Sequence, residues 1–228
     1  MSVTGCIPEK TRYGIDIMIP NRRRPESMAC FEYGDEALAH LSKRDRKFAA
    51  LIERMGRLER ELTPDLFAAL AGGIIAQQIS GKAAVTVENR LLDKVKRITP
   101  ESVAALSPEE IQSCGMSMKK ARNIRSAAEA VLAGTLPIGR FPEMSDAEVV
   151  EQLSALPGIG VWTAEMMLLI FSLGRQDVLS YGDFGIRQGI MRLYGHKVLP
   201  RERFLRYRKR YSPYGSIAAF YLWELAGE

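Results

Sequence analysis

An all-α fold is predicted from three observations. Strand-like alternation of apolar and polar residues is nearly absent. Apolar residues recur instead at helical spacing in one segment after another. Start signals (Ser, Thr or Asp, often with a following proline) and stop signals (Gly or Pro) punctuate those segments. The composition is that of an ordinary globular chain, with 46% hydrophobic and 26% charged residues. Its 228 residues suffice for one large domain or two small ones with real cores.

Residues 1–30 read as irregular, interrupted by Pro8, Pro20 and Pro25. A short strand is expected at 16–19. Arg22, Arg23 and Arg24 either touch phosphates or lie in a solvated arm. Residues 35–56 form a charged amphipathic helix or helix pair, with Leu38, Leu41, Phe48, Leu51, Ile52 and Met55 inward, ending near Gly56. Thr63-Pro64-Asp65 is a start signal, a cap followed by a first-turn proline. The next helix carries Phe67, Leu70, Ala71, Ile74, Ile75 and Ile79 on one face. Gly81 is expected to break it, and another helix runs on through Val85, Leu91 and Leu92.

Pro100 and Pro108 open two short helices. Ser117 caps a longer one through Ile124 and Val131, which Gly134 and Pro137 end. Residues 146–155 form a short helix, with Ser145 as N-cap and Glu148 where a capping box places a carboxylate. Pro157-Gly158 stops it. A further helix begins near Gly160 and runs to Ile170, apolar on nearly all sides and therefore buried. The final helices span about 184–194, 200–210 and 214–226. No internal repeat or low-complexity tract is present.

Leu156-Pro-Gly-Ile-Gly-Val-Trp-Thr-Ala164 is thus helix, tight hairpin, helix. Gly158 and Gly160 allow a sharp turn and close approach to another surface. Unpaired N–H groups at the start of the second helix make a phosphate-sized anion site. The net charge of +5 and pI of about 9.1 favour a polyanionic partner, but mildly, because many proteins without one are as basic. Cys6, Cys30 and Cys114 have neither disulfide nor zinc spacing, which suits a reducing compartment. His40 and His196 have no partners at metal-ligand spacing, so no catalytic metal is expected. No apolar run approaches membrane-spanning length, and no leader is evident.

The hairpin stretch, with Asp183 about two dozen residues on, resembles the helix-hairpin-helix DNA glycosylase superfamily, and most closely its 3-methyladenine DNA glycosylase II (alkylbase) branch. Ile74–Gly81, Gly115–Arg122 and Pro213–Trp223 match further stretches, so the resemblance covers roughly residues 65–225. It implies a two-lobed helical fold. One lobe, 65–174, ends in the hairpin, and the other is formed by 1–64 with 175–228. The active-site cleft lies between them. The N-terminal sheet domain of some relatives does not fit in so few residues. The iron–sulfur cluster of others is not expected, because no cysteine follows Cys114. A structural Na+ or K+, held by carbonyls at 156–161, is the one ion the resemblance suggests. The implied partner is double-stranded DNA containing damaged bases, bound by a monomer without a membrane. The implied location is the cytoplasm, or the nucleus of a eukaryote.

The resemblance also assigns roles. Asp183 falls on the catalytic aspartate; on spacing alone it is an ordinary N-cap. The two roles are compatible, since a helix N-terminus favours a carboxylate anion. Breaking an N-glycosidic bond builds positive charge on the sugar, and an anion in a water-poor site stabilises it. The same group either orients or deprotonates the attacking water. Trp162 stands where bifunctional relatives carry the lysine that forms a Schiff base. An indole cannot form an imine, so a monofunctional enzyme leaving an abasic site is expected.

An indole face can also stack on an electron-poor alkylated purine, for roughly 0.5–2 kcal/mol; the competing role is core packing. Met166, one turn on, and Phe184 complete the expected base pocket, with Phe31 and Tyr33 as weaker candidates. Gln78 takes the position of the side chain that fills the gap left by a flipped nucleotide; otherwise Gln77 and Gln78 are a solvated helix end. Pro157, Gly158, Ile159 and Gly160 are expected to hold phosphate. Gly115, Ser117, Lys119 and Lys120 form either a second phosphate site or a plain solvated helix start. Tyr207–Tyr211 mixes basic and aromatic residues, as DNA-binding and ordinary surface helices both do. Phe220 and Trp223 read as packing the last helix. Enzymes for another lesion, hypoxanthine or uracil, and a non-catalytic DNA-binding hairpin protein are the alternatives.

Overall fold

The computed structural model describes residues 29–170 and 172–228. The strand expected at 16–19 and the arginines at 22–24 lie outside them. Among the described residues there are helices and one isolated antiparallel bridge, Cys30 to Glu61.

The helix pair expected at 35–56 is α1 (Asp35–Arg44) and α2 (Arg46–Met55), divided at Asp45. Asp45 breaks the chain because its carboxylate serves as a cap, accepting from the N–H groups of Lys47 (3.0 Å) and Phe48 (3.1 Å). α3 (Leu66–Ala76) is capped by Asp65, so Pro64 lies ahead of the helix and not in its first turn. Gly81 also departs from expectation. α3 stops at Ala76, and Gly81 opens α4 (Gly81–Val95), for which Ser80 is the N-cap.

α5 (Pro100–Ala104) and α6 (Pro108–Gln112) start at their prolines, each with a complete capping box. Ser117 caps α7 (Met118–Leu132). The connector expected after Gly134 contains a 3-10 turn, Ile138–Glu143. Ser145 and Glu148 form the capping box of α8 (Asp146–Ser154). After the hairpin, α9 (Val161–Thr163) is α-helical for one turn and then continues as a π-helix, Ala164–Ile170. α10 (Phe184–Tyr194), α11 (Arg201–Tyr211) and α12 (Gly215–Gly227) complete the chain.

The chain divides into two compact units. Among the described residues, Ala29–Leu62 and Gly174–Glu228 make one, and Thr63–Leu173 makes the other. In the first, α12 is apolar and buried along nearly its whole length, with α10, α11 and α2 packed on it. Gly189 permits the α10 contact, since a Cβ there would sit 2.2 Å from the Leu222 carbonyl oxygen. Phe48 packs on Tyr211 and Tyr221, with ring centroids 4.9 and 5.8 Å apart.

Asp45 ties this unit together by also accepting from the Tyr194 hydroxyl (2.6 Å) and Arg210. Burial pushes its pKa up, but the bonds from Tyr194, Arg210 and the Phe48 N–H outweigh that and hold it below the usual carboxylate range. In the second unit α3 is the buried helix, flanked by α4, α7 and the π-helix. No helix among the described residues is long and apolar enough to cross a membrane.

Candidate functional site

Asp183 ends the loop that leads into α10. Its Oδ1 accepts from the Ile186 N–H (2.7 Å) and from the Trp223 indole N–H (2.9 Å), and the residue is 6% exposed. Both donors fix the direction of the carboxylate. Gly185 makes the second bond possible, because a Cβ there would lie 2.8 Å from Trp223 Cδ1 and 3.3 Å from Asp183 Oδ1. The loop is pinned in turn to the first turn of α12. The buried Ser216 hydroxyl accepts from the Val178 N–H (3.0 Å) and donates to the Arg175 carbonyl (2.6 Å). Asp177 accepts from the Ser212 hydroxyl (2.6 Å) and the Gly215 N–H (3.1 Å). Phe184, next to Asp183, is 60% exposed.

Phe31 and Tyr33 are core residues and offer no face to a ligand. Phe31 packs edge-on against Phe220 at 5.0 Å, and the Tyr33 hydroxyl donates to the Leu58 carbonyl (2.5 Å). Trp223, read from the sequence as mainly structural, is also a partner of the candidate carboxylate. A buried indole must place its N–H, and that requirement is the signal the sequence offered.

In the second unit, Gly158 turns the hairpin with φ +81° and Gly160 caps α9 without a side chain. A Cβ on Gly158 would meet Asn123 Nδ2 at 2.1 Å, so a side chain there would displace the Asn123 amide of α7 as well as strain the turn. The phosphate-gripping role expected of four hairpin residues narrows. Pro157 has no N–H. Ile159 is buried and its N–H donates to the Leu156 carbonyl (3.2 Å). Gly158 and Gly160 are exposed, and their N–H groups make no backbone hydrogen bond among the described residues.

Trp162 is 37% exposed at the start of α9. Met166 has no accessible surface, so it presents nothing for a base to stack on. It lies where the single α-helical turn of α9 has passed into the π-helix, and its burial takes it out of the expected base pocket.

Gln78 is exposed and holds φ +58°, a left-handed conformation uncommon outside glycine and asparagine. The turn that carries it touches the hairpin, where the Gln77 amide donates to the Gly158 carbonyl (2.9 Å). Gly115 holds φ +106°, and Ser117 accepts from the Lys120 N–H (3.3 Å) as the α7 cap. Lys119 is exposed. Lys120 points elsewhere. Its ammonium donates to the carbonyls of Ile75 (2.8 Å) and Gln77, at the C-terminal end of α3. Among the described residues, no three His, Cys, Asp or Glu side chains group as metal ligands.

Residues 71–212 match the model of the HhH-GPD superfamily of base excision DNA repair proteins. The chain belongs to that superfamily. This HhH-GPD protein is 33% identical over 197 residues to DNA-3-methyladenine glycosylase 1 of Schizosaccharomyces pombe, covering 83% of this chain and 86% of the relative. Among solved structures, it resembles the Bacillus halodurans DNA-3-methyladenine glycosidase with a TM-score of 0.77 and 35% identity, over 88% of this chain and 93% of that one. It also resembles the S. pombe 3-methyladenine DNA glycosylase in complex with abasic DNA, with a TM-score of 0.73 and 32% identity, over 82% and 95% of the two chains. The helical architecture of the HhH-GPD chain is therefore shared with these two glycosylases, one of them solved on abasic DNA.

Proposed function

We propose that this protein is a monofunctional DNA glycosylase that hydrolyses the N-glycosidic bond of alkylated purines, of the 3-methyladenine and 7-methylguanine type, in duplex DNA. The observation that carries this reading is the carboxylate of Asp183, buried at a helix N-terminus and aimed by two N–H donors, in a chain of the HhH-GPD superfamily.

As the C1′–N bond breaks, its electron pair leaves with the base and positive charge develops on the deoxyribose. A fixed anion stabilises that charge without having to reorganise. Water then bonds to C1′ and gives up a proton, leaving an abasic sugar. Alkylated purines suit this route because their positive charge makes them good leaving groups. Trp162, 37% exposed, and Phe184 are assigned to the flipped base. Gln78 is assigned to the gap in the duplex. Its exposed, left-handed backbone supports that role, since strained conformations cluster at functional sites.

The N–H groups of Gly158 and Gly160 are assigned to a backbone phosphate. The Leu156 and Gly158 carbonyls each accept one protein hydrogen bond. Each keeps a second lone pair, so the hairpin fits a monovalent cation bound through oxygens. Such an ion would add positive charge beside the phosphate.

Duplex DNA treated with a methylating agent tests the reading. Free methylated purine should be released, the strand should stay intact until hot alkali is added, and borohydride should trap no covalent adduct. A trapped adduct would contradict the inference from Trp162. Release confined to hypoxanthine or uracil duplexes would move the specificity. No release from any lesion would leave a DNA-binding protein.

A further inference from the structure

The turn that presents Gln78 is held in place from α7, and we propose that Lys120 is a positioning residue that sets the wedge. The proposal rests on the assignment of Gln78 to the gap in the duplex. The Lys120 ammonium donates to the carbonyls of Ile75 and Gln77, which lie on the two sides of the bend where α3 ends. Gln78 follows at once, with φ +58°. A left-handed conformation at a residue other than glycine brings Cβ too close to the following carbonyl oxygen. It needs neighbours that over-determine it.

Three contacts supply that here: two from Lys120 and one from the Gln77 amide to the Gly158 carbonyl. Asn123, one turn along α7, packs against Gly158 itself. One helix therefore braces both turns, Lys120 at the wedge and Asn123 at the hairpin. A cation at the C-terminal end of α3 is also favourable to that helix.

A lysine kept for phosphate would reach into solvent, as Lys119 does. Lys120 is half-buried, and two of its three donors are spent on protein carbonyls. Burial also lowers its pKa.

The test uses single-turnover excision of an alkylated purine from duplex DNA, with the lesion opposite either its normal partner or an abasic site. The salt dependence of binding to undamaged duplex is measured alongside. Lys120→Met should slow excision from the normal pair on the order of tenfold. The loss should be smaller opposite the abasic site, where unpairing costs less. The salt slope should not change. A slope reduced by about 0.9, the value for one lost phosphate contact, with excision at saturating DNA unchanged, would overturn the proposal.

Lys120→Arg keeps the charge but offers a planar fork to two converging carbonyls, and it carries the test if Lys120→Met does not fold. It should also excise slowly, whereas wild-type excision by this variant would overturn the proposal. Gln78→Ala separates the two layers. If Gln78→Ala excises normally, the wedge assignment fails and takes the proposal with it. If Gln78→Ala is slow while both Lys120 variants are normal, the wedge stands and only the role of Lys120 falls. The Lys120→Met/Gln78→Ala double variant should be no slower than Gln78→Ala; additive losses would overturn the coupling.

Discussion

An N-cap aspartate and a carboxylate that faces a developing cation need the same surroundings: oriented N–H donors and little water. Asp183 has both, from the Ile186 amide and the Trp223 indole. The indole bond can be removed alone. Trp223→Phe keeps an aromatic ring in the core and deletes one hydrogen bond to a charged group, worth about 1.5–3 kcal/mol. Excision should fall at least about tenfold in kcat with little change in KM, and kinetics on a methylated duplex would show it. A fall in KM-linked binding with kcat intact would mean that Trp223 serves only the fold. Asp183 stood out as a candidate because it falls within a run of motifs in order, about two dozen residues after the hairpin. Its partner was not, because forty residues of chain separate the two and no local pattern joins them.

Whole elements followed from local chemistry where a cap or a proline decided them. α5, α6 and α8 begin at Pro100, Pro108 and the Ser145–Glu148 box, as their sequences require. The failures fell where tertiary contact decides. α3 ends at Ala76, where Lys120 and Gln77 hold the turn that follows, so Gly81 no longer breaks a helix but opens the one that Ser80 caps. The π-helix at Ala164–Ile170 lies in a segment apolar on nearly every side, where no periodicity can reveal a change of pitch. The hairpin gives the test at this scale. Gly158→Ala forces a side chain into left-handed backbone and against Asn123. Affinity for duplex DNA should drop on the order of tenfold by fluorescence anisotropy, a cost of about 1.4 kcal/mol, with helix content retained by circular dichroism. Unchanged affinity would remove the hairpin from the DNA contact.

At the scale of the molecule, the chain's order matters. Among the described residues, the unit that carries the hairpin, Gln78 and Lys120 is the segment Thr63–Leu173. The unit that carries Asp183 is assembled from Ala29–Leu62 and Gly174–Glu228 and held by Asp45, Ser216 and the α10–α12 contact. The net charge of +5 agrees with a polyanionic partner but did not identify one. The ordered motifs did. The most direct measurement is single-turnover excision of 7-methylguanine from duplex DNA by wild type and Asp183→Asn, with DNA affinity measured in parallel. The amide keeps the shape of the side chain and an oxygen for the Ile186 and Trp223 donors; it removes the charge and replaces the other oxygen with an NH2 group. The expected result is a loss of at least about a hundredfold in rate, near 2.7 kcal/mol, with affinity retained. Excision at the wild-type rate would contradict the assignment of Asp183 as the anion that stabilises the sugar cation.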